Sequence, residues 1–206
     1  MRVSEDRYLR DLRRINLAQR LILMEVRTQW ICALSGLTGE RVRNLYNSYA
    51  GTMRLKRRRR GPSPKKTLSF VRSSLLLSEA SALAGLAYRM EIIPAQPVKK
   101  PERLLRGVEM GERLCDTFEL YRELIPGSTF CMEHFIALVL ELAEGATVQL
   151  GRCEVCQGAL LLDRLGSGRK RCPACRQTPP EPVLPAGSRE AKEVKEPPSG
   201  HQQSLF

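Results

Sequence analysis

Apolar residues recur at intervals of three and four along most of the chain, a spacing that predicts helices with one buried face. Residues 8–29 form the first such segment, with arginines on much of the opposite face. No apolar run reaches the roughly eighteen residues that a transmembrane helix needs, so we expect no membrane partner. The pattern predicts a mainly α-helical fold, with further helices over residues 74–90, 102–124 and 129–142.

Residues 29–46 carry the pattern of two short helices joined by a tight turn, as in a helix-turn-helix. Gly36 tolerates the positive φ that such a turn needs, and Thr38 can cap the second helix. Val42 then faces back to the first helix. In a helix-turn-helix the second helix presents its N-terminal residues to base edges, although an ordinary helical hairpin has the same spacing. The candidate DNA contacts here are Thr38, Arg41, Arg43 and Asn44.

Positive charge is concentrated in the first third of the chain. Residues 1–72 carry a net charge of +13, whereas residues 73–206 carry −1. Such a field predicts a polyanionic partner, with solubility as the simpler explanation. The densest part, residues 52–72, contains Gly and Pro without apolar periodicity, so we interpret it as a basic arm that neutralises phosphates or as a flexible loop. Its candidate contacts are Arg54, Lys56, Arg57, Arg58, Arg59, Arg60, Lys65 and Lys66.

Four cysteines form two Cys-x-x-Cys pairs, separated by fifteen residues. They are Cys153 and Cys156, then Cys172 and Cys175. Two such pairs at this spacing are typical of a structural zinc site, because four thiolates surround Zn²⁺ and leave no position open for catalysis. A redox dithiol or two disulfides are the alternatives. The intervening residues predict a strand, a glycine-rich turn and a return strand, whereas we expect core positions for Cys32, Cys115 and Cys131.

These elements predict a helical region over residues 1–148, a zinc-ribbon-like module over 149–178 and a disordered tail over 179–206. No constellation of paired acids, nucleophile or second metal site stands out, so we do not expect an enzyme. A nucleic-acid-processing or adaptor protein with a zinc ribbon stays open as the alternative function. The charged N-terminus and the odd number of cysteines predict a cytoplasmic protein.

Four segments in a fixed order resemble the FlhC family, the C subunit of the bacterial flagellar master transcriptional activator. They are LSGLTGERVRNLYNSY, RGPSPKKTLSF, FELYRELIPG and the helix FIALVLELAEGATVQLGRC, which runs into the cysteine pairs. The resemblance covers roughly residues 8–178. It departs from the family pattern in the loop, where Lys66 stands in place of a frequent Gly and Ser69 in place of a frequent Pro.

The resemblance implies a zinc-containing helical subunit that assembles with a small FlhD-like subunit, four D subunits with two C subunits. By motif, Cys153, Cys156, Cys172 and Cys175 would hold the zinc ion. The complex would bind double-stranded promoter DNA, at flagellar class II or related promoters, and recruit RNA polymerase. These are expectations from the resemblance.

Overall fold

The computed structural model describes residues 5–50, 73–164 and 170–177. This part of the chain is mainly helical, as predicted, with one two-stranded antiparallel sheet. A 3-10 turn spans Pro101–Arg103. The elements in chain order are α1 (Glu5–Leu23), α2 (Thr28–Ser35), α3 (Gly39–Ala50), α4 (Ser74–Arg89), α5 (Val108–Leu124), α6 (Met132–Glu144), β1 (Val148–Arg152), β2 (Ala159–Asp163) and α7 (Pro173–Gln177).

One hydrophobic core joins the helices. Leu17 and Leu21 of α1 are buried where α1 packs against α2 and α5. Further along α5, the ring of Phe118 stacks on Phe135 of α6 with 6.1 Å between the centroids. Burying a leucine or phenylalanine side chain contributes about 1.5–3 kcal/mol, so this apolar packing is the main source of stability. No helix in the described ranges combines the length and the apolar character needed to cross a bilayer.

The first helix ends six residues earlier than predicted. Instead of continuing to residue 29, α1 stops at Leu23, and Glu25 adopts a left-handed conformation with φ of 57°. The Val26 N–H donates to the Leu21 carbonyl at 3.0 Å, and the Glu25 N–H donates to the Ile22 carbonyl at 3.0 Å. This is a Schellman ending, in which burial of Val26 offsets the strain at a position that normally takes glycine.

The helix predicted over residues 102–124 begins later as well. Only the 3-10 turn forms at its start, and α5 proper begins at Val108. Gly107 has φ of 88°, which interrupts the helix, and its N–H donates to the Ala33 carbonyl of α2 at 3.1 Å. A tertiary hydrogen bond therefore competes with the local helical preference at this position.

The strand pairing also differs from the sequence prediction. β2 pairs with β1, which precedes the first cysteine pair, with Val148 opposite Asp163 and Arg152 opposite Ala159. The expected glycine-rich turn falls in residues 165–169, outside the described residues, and no return strand appears in residues 170–177. The two central hydrophobic residues of β2, Leu160 and Leu161, are buried against α4 and share the helical core.

Two close contacts hold β2 on α4. The backbone N–H of Leu161 donates to the Ser81 hydroxyl at 2.9 Å, inside the core. Four residues further along α4, Gly85 lies so close to the strand that an added Cβ would sit 2.9 Å from the Cβ of Ala159. The β1–β2 hairpin, which carries the first cysteine pair in its turn, is therefore fixed to the helical body. The predicted division between residues 148 and 149 stays a prediction.

Candidate metal centre

The four cysteines of the two pairs come together in space. Cys153 directly follows β1, and Cys156 lies in the turn that leads to β2. Cys172 directly precedes α7, and Cys175 lies within it. Their sulfur atoms all lie within 4.8 Å of one another. The predicted cluster is therefore present as a site for a single metal ion.

Backbone hydrogen bonds connect the two halves of this site. The Cys153 N–H donates to the Gly158 carbonyl at 2.9 Å, and the Gln157 N–H donates to the Cys153 carbonyl at 3.0 Å. These bonds close the first Cys-x-x-Cys turn, in which Gln157 has φ of 57°. The Glu154 N–H then donates to the Lys170 carbonyl at 2.9 Å, which places the second pair opposite the first.

N–H groups also point at the sulfur atoms. The Cys172 N–H donates to the Cys153 sulfur at 3.3 Å, and the Cys175 N–H donates to the Cys172 sulfur at 3.5 Å. Backbone donors from Cys156, Cys172 and Val155 lower the pKa of the Cys153 thiol to about 6. The neighbouring sulfurs, that of Cys172 first, raise the pKa of Cys175 to about 12. Four thiolates this close repel one another, and a bound cation removes that repulsion.

The sulfur geometry fits a tetrahedral metal ion. Zn–S bonds of about 2.3 Å separate neighbouring sulfurs in a regular tetrahedron by about 3.8 Å. The sulfurs of Cys156 and Cys172 are 3.7 Å apart, which is far longer than the roughly 2.0 Å of a disulfide bond. No disulfide bond joins any of the seven cysteines, all of which lie within the described ranges. The soft, four-sulfur ligand set suits zinc or iron.

The remaining cysteines have different surroundings. Cys115 of α5 is fully buried, and burial raises the pKa of its thiol to about 12, in agreement with the predicted core position. Cys32 is partly buried on α2. Cys131 departs from the prediction, because its sulfur lies 3.3 Å from Nδ1 of His134 at the start of α6. Sequence reasoning missed this pair, although a spacing of three residues at a helix start was a usable signal.

The predicted turn between α2 and α3 is present in its details. Gly36 ends α2 with φ of 70°, and its N–H donates to the Cys32 carbonyl. The Thr38 hydroxyl accepts a hydrogen bond from the Arg41 N–H at 3.3 Å, so Thr38 caps α3 as predicted. Val42 is buried, whereas the side chains on the opposite face of α3 are exposed; they include Arg41, Arg43 and Asn44. Helix-turn-helix elements and ordinary helical hairpins share this geometry.

Two of the five arginines of α1 form ion pairs with acids of α5. Arg13 forms an ion pair with Glu112, and Arg20 lies 2.7 Å from carboxylate oxygens of Asp116 and Glu119. Although burial lowers the pKa of Arg20, the Glu119 and Asp116 carboxylates raise it above its ordinary value. Sequence reasoning counted these arginines toward the positive field. The structure instead uses them to fix α1 on α5.

Arg41 and Arg43 have no acidic partner within the described part of the chain. Both side chains are exposed without a paired carboxylate among these residues, unlike Arg13 and Arg20. The predicted basic arm lies outside the described residues, with all of its candidate contacts: Arg54, Lys56, Arg57, Arg58, Arg59, Arg60, Lys65 and Lys66.

Comparison of the sequence with protein-family models and with curated proteins finds no match to either. The resemblance to the FlhC family therefore stands on the quoted motifs alone. Two observations bear on function without it. They are the four-sulfur centre and the exposed basic face of α3.

Proposed function

We propose that this protein is the DNA-binding subunit of a transcriptional activator, and that its four-cysteine centre holds one structural zinc ion. The observation that carries the proposal is the exposed face of α3, where Arg41, Arg43 and Asn44 stand without an acidic partner among the described residues. Arg pairs bidentately with guanine and Asn with adenine in the major groove. Glu40, at the start of the same face, weakens the attraction to DNA because its negative charge repels the phosphates.

Chain connectivity supports the same surface. α3 ends at Ala50, and the basic segment of residues 52–72 follows it directly, so those cations are tethered to the end of the proposed reading helix. Tethering keeps them at a high effective concentration near any duplex that α3 contacts. Phosphate contacts from this segment would position the protein, while α3 would supply sequence preference.

Zinc has a folding role in this proposal. Four thiolates complete the coordination of the ion, so it would act by joining the two Cys-x-x-Cys turns next to the core. The resemblance to the FlhC family suggests an FlhD-like partner, promoter DNA of the flagellar class or a related one, and recruitment of RNA polymerase. We propose these finer points on the quoted motifs alone.

Fluorescence anisotropy of a labelled promoter duplex tests the proposal. The protein is titrated alone, with an FlhD-like subunit, and after removal of zinc by a chelator. We expect salt-sensitive binding that prefers the promoter over a scrambled duplex, strengthens with the partner and weakens without zinc. Absence of duplex binding under all three conditions would contradict the proposal and favour the adaptor alternative.

Matched variants test whether α3 reads the bases. Substituting Arg41→Ala or Asn44→Ala removes an exposed side chain of α3 without touching the core. We expect each to weaken promoter binding by about 1–3 kcal/mol and to reduce the preference over the scrambled duplex. Arg103→Ala is the control, because Arg103 is also exposed but lies in the 3-10 turn. Equal effects of the α3 variants and the control would rule out α3 as the reading element.

A further inference from the structure

Outside the metal centre, one pair of chemically reactive side chains lies at the start of α6. Cys131 is the N-cap residue of this helix, and His134 is the third residue within it. Cys131 Sγ and His134 Nδ1 are 3.3 Å apart. The predicted role of Cys131 as a small core residue does not explain this contact, and neither the zinc site nor the α3 surface uses it.

The hydrogen bonds around the pair orient the imidazole. The Cys131 backbone N–H donates to His134 Nδ1 at 3.3 Å, which places the lone pair of Nδ1 at the start of the helix and the ring proton on Nε2. The Cys131 thiol is within reach of the same nitrogen and can donate its proton to it. Phe130 packs its ring edge-on against the imidazole, 5.7 Å between centroids, and restricts its rotation.

The sulfur also faces the positive end of the helix dipole. The Cys131 side chain accepts the backbone N–H of His134, an arrangement that completes a reciprocal capping box. An N–H donor and a helix N-terminus both stabilise a thiolate, and an adjacent imidazole supplies the base that removes the thiol proton. The pair therefore has the components of an activated sulfur nucleophile.

Cys131 opens onto a cleft of about 610 Å³ between the end of α1, α5 and the start of α6. Apolar side chains such as Met24 and Phe118 form much of its lining. The charged groups around it come from α5 and the end of α1, and they are Glu25, Glu119, Arg122 and Glu123. Glu119 is already paired with Arg20, so the cleft has a slightly acidic rim. Small uncharged molecules fit this environment best.

We propose that Cys131 is a reactive thiol whose modification by small neutral electrophiles and hydroperoxides is promoted by His134. With a hydroperoxide, the thiol proton moves to Nδ1 and the thiolate attacks one peroxide oxygen. The S–O bond forms as the O–O bond breaks, which oxidises the sulfur to a sulfenic acid. The departing oxygen takes the proton from the imidazolium and leaves as water or an alcohol.

Alkylation of the full-length, zinc-loaded protein by iodoacetamide tests the proposal. Samples are quenched over time, and the labelled fraction of each cysteine is measured by peptide mass spectrometry. Cys32 is the internal comparison because it is also partly buried, and Cys115 is the unreactive reference because it is fully buried. We expect Cys131 to react at least about tenfold faster than Cys32 at neutral pH. Equal alkylation rates at Cys131 and Cys32 of the wild-type protein would by themselves overturn the proposal.

A substitution of His134 shows whether this base activates the Cys131 thiol or whether the thiol reacts only because it is exposed. His134→Asn keeps an oxygen that can accept the Cys131 N–H, so the cap is retained, but it removes the titratable base. We expect labelling of Cys131 to slow by about tenfold. His201→Asn changes the only other histidine of the chain and should leave the rate unchanged. An unchanged rate in His134→Asn, with wild-type circular dichroism, would overturn the role of His134.

Hydrogen peroxide gives the second readout. The sulfenic acid is trapped with dimedone and located by mass spectrometry. We expect dimedone addition at Cys131 in the wild-type protein and about a tenfold lower yield at equal time in His134→Asn. Dimedone at Cys32 in place of Cys131 would contradict the proposal. None of these results depends on DNA binding, so the proposed function can fail without affecting them.

Discussion

The Ser81 hydroxyl connects α4 to β2. We expect that removing this single oxygen atom lowers the free energy of unfolding by a large amount. This hydroxyl accepts the Leu161 N–H at 2.9 Å and donates to the Leu77 carbonyl at 2.6 Å. Both Ser81 and Leu161 are buried, at 4% and 2% exposure. Ser81→Ala leaves the Leu161 N–H without its acceptor in the core, which costs about 1–3 kcal/mol. We therefore expect the free energy of unfolding to fall by that amount.

Ser78→Ala is the matched control, because Ser78 lies one turn earlier in α4 and is exposed. Its hydroxyl donates to the Ser74 carbonyl at 3.0 Å, where water can replace it, so we expect a change within about 0.5 kcal/mol. Urea unfolding of the zinc-loaded protein, followed by circular dichroism, measures both variants at equal m-value. If the free energies of unfolding of the two variants differ by less than about 0.5 kcal/mol, the buried hydrogen bond does not hold β2 on α4.

Three further changes test the other parts of the structure. Cys156→Ser should abolish stoichiometric zinc retention, measured by release to a chromophoric chelator; full retention would contradict four-sulfur ligation. Substituting all four arginines of Arg57–Arg60 by alanine should lower the magnitude of the salt slope of DNA binding by about 3.6, because each phosphate contact contributes about 0.9; an unchanged slope would remove the arm from the interface. Burial raises the pKa of Tyr121 to about 12, so the unfolded chain loses this proton at lower pH and stability should fall above about pH 10. Tyr121→Phe should flatten that fall in urea titrations, and identical pH profiles would contradict the assignment.

The features that follow from short-range spacing could be predicted from the sequence. The cysteine spacing predicted a four-sulfur cluster because each Cys-x-x-Cys turn points two sulfurs the same way. Gly36 and Thr38 predicted a turn because only a few residue types suit those backbone positions. Apolar periodicity predicted α4 almost to its ends, since that helix buries one continuous face.

The features that depend on tertiary contacts could not be predicted. Glu25 and Glu91 both end helices in a left-handed conformation that glycine normally takes, and the following residues, Val26 and Ile92, are buried. That burial is invisible in the sequence until the fold is known. The partner of β2 was missed because β1 contains Gly151 and two polar residues, Gln149 and Arg152, and has little strand signal of its own.

The order of the metal ligands along the chain has a consequence for synthesis. Cys153 and Cys156 leave the ribosome before Cys172 and Cys175. At a translation rate of about 5–20 residues per second, the second pair follows the first after about 1–4 s. During this interval two thiols stand without the coordination shell that later shields them. The nascent protein therefore passes through a brief period of exposure to oxidants and competing metals. Rare codons between the two pairs would lengthen that period, without changing a single amino acid.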